Sequence, residues 1–201
     1  YLYGAQLSNS YSLGAGSALN FSRNVEIRSD VDVSQLIGVN ADAGEAILGA
    51  GNGSTTTVGG DLIVSANATG GNASGSGATG GQALGGIARV YAQSGGTLTV
   101  GGDVDASADG RGGNNYSDGG NGGLGRGGLA LVQTSGDGST LNIGGEAVVT
   151  ADGQGGDGYF GSTLTCTLCT GVGGTGIGGQ ASISTSAGTN TLTVTGNAYI
   201  S

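Results

Sequence analysis

The sequence predicts an all-β chain: a right-handed parallel β-solenoid (β-helix) of about five coils, each of three short strands, with long Gly-rich excursions from one corner. Three observations carry that expectation. A strand unit recurs along the chain at a drifting period. Within each unit, apolar and polar residues alternate with the period of two that a pleated strand imposes. The composition, 49 Gly with no Pro, His, Trp or Met in 201 residues, departs far from an average globular chain.

That composition restricts the core. Hydrophobic residues are 36% and aromatics 4% of the chain, so Ala, Val, Ile and Leu must fill thin layers. Stacked coils can be built this way; a thick sandwich cannot. The glycines lack the strict three-residue period of collagen.

The clearest copy of the repeat runs from Thr97 to Ala108, Thr-Leu-Thr-Val-Gly-Gly-Asp-Val-Asp-Ala-Ser-Ala. It recurs from Thr55 to Ala66 and from Thr140 to Ala151, begins again at Thr191 and runs to Ser201, and has a diverged first copy from Ala18 to Ile27. The markers Phe21, Val58, Val100, Ile143 and Val194 are separated by 37, 42, 43 and 51 residues, a drift that the loops absorb. Upstream of the last four markers lies another alternating run, Ala46 to Ala50, Ala88 to Ala92, Ala130 to Thr134 and Ala181 to Thr185. The reading is one solenoid over 1–201, with repeat units near 1–29, 44–68, 86–108, 128–151 and 180–201 and excursions over 69–85, 109–127 and 152–179.

Alternation assigns the faces. Leu98 and Val100 point inward and Thr97 and Thr99 outward; in the next strand Leu62, Val64 and Ala66 are inside, Ile63 and Ser65 outside. The same register places Val104, Ala106 and Ala108, then Ala147, Val149 and Ala151, in small apolar columns. Coils stacked about 4.8 Å apart require such columns. An antiparallel meander would need a hairpin at each Gly-Gly, and a propeller would need four strands per blade and aromatic markers. Equal residues at equal phase favour a parallel stack with Gly-Gly corners. The excursions have two readings: flexible loops, or extended glycine strands lying on one another, because Gly alone permits very close backbone approach.

The unit Gly-Gly-Asp-Leu-Ile-Val-Ser-Ala, then Gly-Gly-Ile-Ala-Arg-Val-Tyr-Ala and Gly-Gly-Thr-Leu-Thr-Val, resembles the β-strand repeats of large bacterial exoproteins. These include autotransporter passengers and filamentous-haemagglutinin-like adhesins. The similarity is one of repeat style and covers nearly the whole chain. It implies an extracellular, cell-surface β-helical stalk that mediates adhesion, aggregation or matrix building. The repeat is longer than the usual β-helix coil, and neither a secretion signal nor a translocator is read here.

Charge narrows the partners. The net charge of −9 with only five Lys plus Arg disfavours nucleic acid and anionic membrane. No segment approaches the roughly 18 to 20 apolar residues of a membrane helix. Tyr1-Leu2-Tyr3-Gly4 has neither an initiator Met nor a signal-peptide plan, so the chain reads as a processed product or an internal window. Neither end shows a polar cap, which suggests either an excised stalk or subunits joining head to tail. The expected partners are a second copy of the chain, or a host or matrix glycan or protein.

Several residues are candidates for chemistry. Cys166 and Cys169, spaced as Cys-Thr-Leu-Cys, are read as a local disulfide pinning a loop in an oxidising compartment. A thioredoxin-like pair would need a βαβ context, and a zinc site two more soft ligands. Glycosidic chemistry needs convergent carboxylates, and Glu26, Asp105, Asp109, Asp118, Asp152 and Asp157 differ in phase; a Ser nucleophile has no His as base. No catalytic centre and no cofactor are expected. Asp109, Asp118, Asp152 and Asp157 are the candidates for a hard cation such as calcium, although the tandem Gly-Gly-x-Gly-x-Asp register of calcium β-rolls is missing. Thr55 and Thr57, Thr97 and Thr99, Thr140 with Asn142, and Thr191 and Thr193 would form a flat two-column ladder of the kind seen in ice-binding solenoids, or a glycan-binding face. The plain alternative is that Thr is simply a good strand former on a solvated face. Sequons occur at Asn20, Asn52, Asn67, Asn72 and Asn115.

Overall fold

The computed structural model describes residues 15–159 and 171–201, and within them every regular element is a β-strand. The first coil holds β1 (Ala18–Phe21), β2 (Val25–Arg28), β3 (Val31–Asp32), β4 (Ala41–Asp42) and β5 (Glu45–Ala50). The second holds β6 (Thr55–Val58), β7 (Leu62–Ser65), β8 (Ala68–Thr69), β9 (Ala83–Leu84) and β10 (Ile87–Gln93). The third holds β11 (Thr97–Val100), β12 (Val104–Ser107), β13 (Gly110–Arg111), β14 (Gly125–Arg126) and β15 (Leu129–Ser135). The fourth holds β16 (Thr140–Ile143), β17 (Ala147–Thr150), β18 (Gly153–Gln154), β19 (Gly176–Ile177) and β20 (Gln180–Thr185), and β21 (Thr191–Val194) and β22 (Ala198–Ile200) begin a fifth.

Equivalent strands pair in parallel, giving five sheets that run the length of the stack. The fold is therefore a parallel β-solenoid. Phe21 pairs with Val58, Val58 with Val100, Val100 with Ile143 and Ile143 with Val194, the register that the repeat predicts. Each complete coil carries the three expected strands and, in addition, two of two residues that flank its excursion.

Three long sheets enclose the core. Leu62, Leu98, Leu141, Val64, Val104, Val132 and the Ala46–Ala88–Ala130 column are fully buried. The alanines of one sheet leave room for Leu and Val from the other two, which is how so narrow a body fills at native density. Thr56 replaces Leu in its column and is fully buried, with its hydroxyl donating to Gly49 O at 3.4 Å. Ser65 faces outward as predicted yet is buried, because its hydroxyl donates to Asp30 Oδ2 at 2.8 Å beneath the Arg28 guanidinium.

The excursions are extended strands stacked on one another, and they build a two-layered wing. One layer holds the outgoing arms (β3, β8, β13, β18) and the other the returning arms (β4, β9, β14, β19). Midway along the wing, hydrogen bonds zigzag between the layers. Gly81 N–H donates to Gly71 O (2.7 Å), Gly113 to Gly81 O (2.9 Å), Gly123 to Gly113 O (2.8 Å), Gly156 to Gly123 O (2.9 Å) and Gly174 to Gly156 O (2.7 Å). A methyl group on Gly113 would overlap the carbonyl of Gly71, so only glycine permits this approach. The excursion of coil one, over 33–40, extends the same wing, its Val39 O accepting from Gly71 N–H at 2.8 Å.

Candidate functional site

The sequence-predicted threonine ladder is present. Parallel register places Ala18, Thr55, Thr97, Thr140 and Thr191 in one column and Asn20, Thr57, Thr99, Asn142 and Thr193 in the next. Columns two residues apart on a strand lie about 6.6–7 Å apart, and neighbours in a column about 4.8 Å. The face is thus a regular, uncharged array of hydroxyl and amide groups, its threonines interrupted at the first coil by Ala18 and Asn20.

The corners carry a second regularity, absent from the predicted sites. At the corner after the first strand of a coil stands a side-chain acceptor, preceded by Gly-Gly at Asp61 and Asp103 and by Ser-Arg at Asn24, that captures the backbone of the coil above. Asn24 Oδ1 accepts from Asp61 N–H (3.0 Å), Asp61 Oδ1 from Asp103 N–H (3.0 Å) and Asp103 Oδ1 from Glu146 N–H (2.7 Å). The next corner repeats the device: Asp30 Oδ1 accepts from Asn67 N–H (2.8 Å), Asn67 Oδ1 from Asp109 N–H (2.7 Å) and Asp109 Oδ1 from Asp152 N–H (2.7 Å). A third column on the wing runs through Asn72, Asn114 and Asp157. The available signal was the recurrence of Asn or Asp at fixed phase, which the eye reads as surface charge.

This places the four candidate cation ligands. Asp109 and Asp152 belong to a corner column, where Asp109 Oδ2 also accepts from the Thr150 hydroxyl at 3.0 Å. Asp157 lies on the outgoing arm of coil four and Asp118 at the wing tip of coil three. Among the described residues no group of three or more carboxylates converges as a metal ion would require. Cys166 and Cys169 lie outside the described residues.

Asp105 is the electrostatic exception. It sits, exposed, between Ile63 and Val148 in the adjacent coils, and partial desolvation by its surroundings, reinforced by the neighbouring Asp109 carboxylate, raises its pKa above the usual carboxylate value. Arg28 opposes that shift from a distance; its own ion pairs are with Glu26 at 3.0 Å and Asp30 at 3.5 Å.

The sequons separate by environment. Asn115 is buried and bridges the wing tips, its amide donating to Ala78 O at 2.8 Å, while Asn67 and Asn72 are held in ladders. Asn20 and Asn52 are exposed.

Comparison with protein-family models, with curated proteins and with solved structures finds no match.

Proposed function

We propose that this chain is a structural and adhesive element of an extracellular bacterial surface, acting as a stalk segment or as the subunit of a head-to-tail filament in adhesion, aggregation or matrix building. One observation carries the reading: the first four coils are tied to one another through body sheets, corner acceptors and wing, and the fifth through body sheets, so the molecule extends by adding equivalent layers. At one end of the stack β21 and β22 are edge strands, with Tyr199 and Ile200 52% and 53% exposed. The resemblance of the repeat to autotransporter passengers and filamentous-haemagglutinin-like adhesins supports the same setting.

Electron microscopy of the purified chain over a range of concentrations, with and without a calcium chelator, tests this. Smooth fibres with an axial rise of about 19–24 Å, four to five coils of about 4.8 Å each, support head-to-tail assembly, and their loss with chelator makes a cation structural. Isolated particles at every concentration reject the filament and leave the stalk.

The two-column register of the threonine face favours a second reading, a solenoid that binds ice or glycan through Thr55, Thr57, Thr97, Thr99, Thr140, Asn142, Thr191 and Thr193.

A further inference from the structure

Where the wing meets the body, the re-entrant corner forms a groove that runs along the stack and encloses about 690 Å³. Its floor is made of Ala43-Gly44, Gly85-Gly86, Gly127-Gly128 and Gly178-Gly179, so backbone and a single methyl group line it. Register fixes its walls. On the wing side, Asp42, Leu84, Arg126 and Ile177 form one column; on the body side, Glu45, Ile87, Leu129 and Gln180 form another. From the first coil upward the groove therefore presents two carboxylates, two aliphatic side chains, a guanidinium facing a leucine, and an isoleucine facing a glutamine. Among the described residues, Asp42, Glu45 and Arg126 enter no ion pair with one another or with any other group.

We propose that this groove docks an extended peptide of polyproline type that carries a basic residue and, three positions away, an acidic one. The spacing is the main argument. Asp42 and Arg126 stand two coils apart in one column, about 9.6 Å. A polyproline II helix repeats every three residues at about 9.3 Å, so its i and i+3 side chains fall over the same column. A β-strand would send those two side chains to opposite sides. Leu84 and Ile87 lie under the two intervening residues and bury their apolar surface, while the charges at the two ends fix which way the segment lies. A neutral glycan would leave the carboxylates of the first coil and the guanidinium of the third unanswered.

The proposal names a partner class for the adhesive role and rests on that reading for its biological use alone. Fibres without peptide binding would sink it and spare the filament; peptide binding without fibres would do the reverse. The test is fluorescence anisotropy of a labelled Pro-Arg-Pro-Pro-Glu-Pro peptide titrated with the full chain. Saturable binding is expected, weakened about fivefold or more when the two charges are moved to i and i+2 spacing. Arg126→Glu, an exposed position, should weaken that peptide by about tenfold and transfer the preference to Pro-Arg-Pro-Pro-Arg-Pro. A reversed preference cannot arise from misfolding. The proposal is overturned if the first peptide fails to saturate at millimolar chain, if Arg126→Glu leaves binding unchanged, or if a neutral glucan hexasaccharide binds in a Leu84-dependent way and neither peptide competes with it.

Discussion

Asp61 Oδ1 accepts the backbone N–H of Asp103 at 3.0 Å, across one coil and 42 residues of chain. The carboxylate reaches that N–H only by lying where a side chain on Gly102 would begin. The Gly-Gly-Asp unit is thus a stacking device: the second glycine makes room for the acid of the coil before, and its own acid captures the coil after.

Removing the acceptor should therefore cost stability while leaving the surface otherwise unchanged. Asp103→Ala frees the Glu146 N–H and should destabilise by about 0.5–1.5 kcal/mol. Asp103→Asn keeps an oxygen in place and should lie within about 0.5 kcal/mol of the parent. Urea denaturation of both variants checks this; equal losses would show that the charge matters and the hydrogen bond does not.

The wing should fail separately from the body. Gly113→Ala forces a methyl group onto the Gly71 carbonyl, an overlap that no rotamer relieves, so a loss of about 1–3 kcal/mol is expected. Hydrogen exchange locates it: the Gly123 and Gly156 amides, both in the zigzag, lose protection, while the Gly101 amide, bonded to Val58 O at 2.8 Å in the body, keeps it. Gly77→Ala at the wing tip meets open space and pays only for its φ of +73°, about 1 kcal/mol.

The body was legible in the sequence because period-two alternation and the Phe21 to Val194 markers report directly on burial and register. The wing was legible only as two alternatives. Its cohesion comes from glycine amides and carbonyls, and a run such as Gly119 to Gly123 has no side-chain pattern to reveal which carbonyl each amide meets. Asp109 and Asp152 were read as possible ligands because sequence shows a carboxylate without its acceptor role; Asp109 Oδ1 accepts from the Asp152 N–H, 43 residues away, and Asp152 Oδ2 from the Ser201 hydroxyl. Ser65 shows the same limit, since its burial depends on Asp30 in the preceding coil.

Two carboxylates should pull the pH dependence of stability in opposite directions. The Ser34 hydroxyl and backbone N–H hold the Asp32 pKa below its ordinary value, so its contribution is present above that value and is lost as pH falls through the lowered one. Asp105, raised by partial desolvation and the Asp109 charge, opposes folding while ionised, and that penalty disappears as pH falls through its raised pKa toward 3.8. Asp105→Asn should therefore raise the midpoint of thermal unfolding at pH 7 and leave it little changed near pH 3. A midpoint lowered at pH 7 would mean that the ionised form makes a favourable contact instead.

Leu98 stacks between Thr56 and Leu141 with no exposed surface. A core one side chain thick has little behind Leu98 to collapse into the space it leaves, so Leu98→Ala should cost about 3–5 kcal/mol, in the upper part of the range for buried leucine. Thr56→Val in the same column removes only a long 3.4 Å hydrogen bond and keeps the volume, so it should change stability by less than about 1 kcal/mol. Denaturant midpoints of the pair measure how much of this narrow body depends on filled volume and how much on polar contacts.

The threonine face separates the two functional readings. Thr99 lies at its centre, half-exposed, with Thr57 and Asn142 beside it in register. Its side chain points away from the core, so Thr99→Lys should alter stability by no more than about 0.5 kcal/mol. A structural or adhesive stalk keeps its fibres and its surface attachment after that change, because the ladders and the wing are untouched. An ice-binding face does not, since a lysine midway along one of its two columns breaks the flat array that would meet the crystal. Thermal hysteresis in the parent chain, abolished by Thr99→Lys at unchanged stability, would make the face the functional site. Its absence from the parent leaves the threonines as solvated strand residues that hold the register of sheet and stalk.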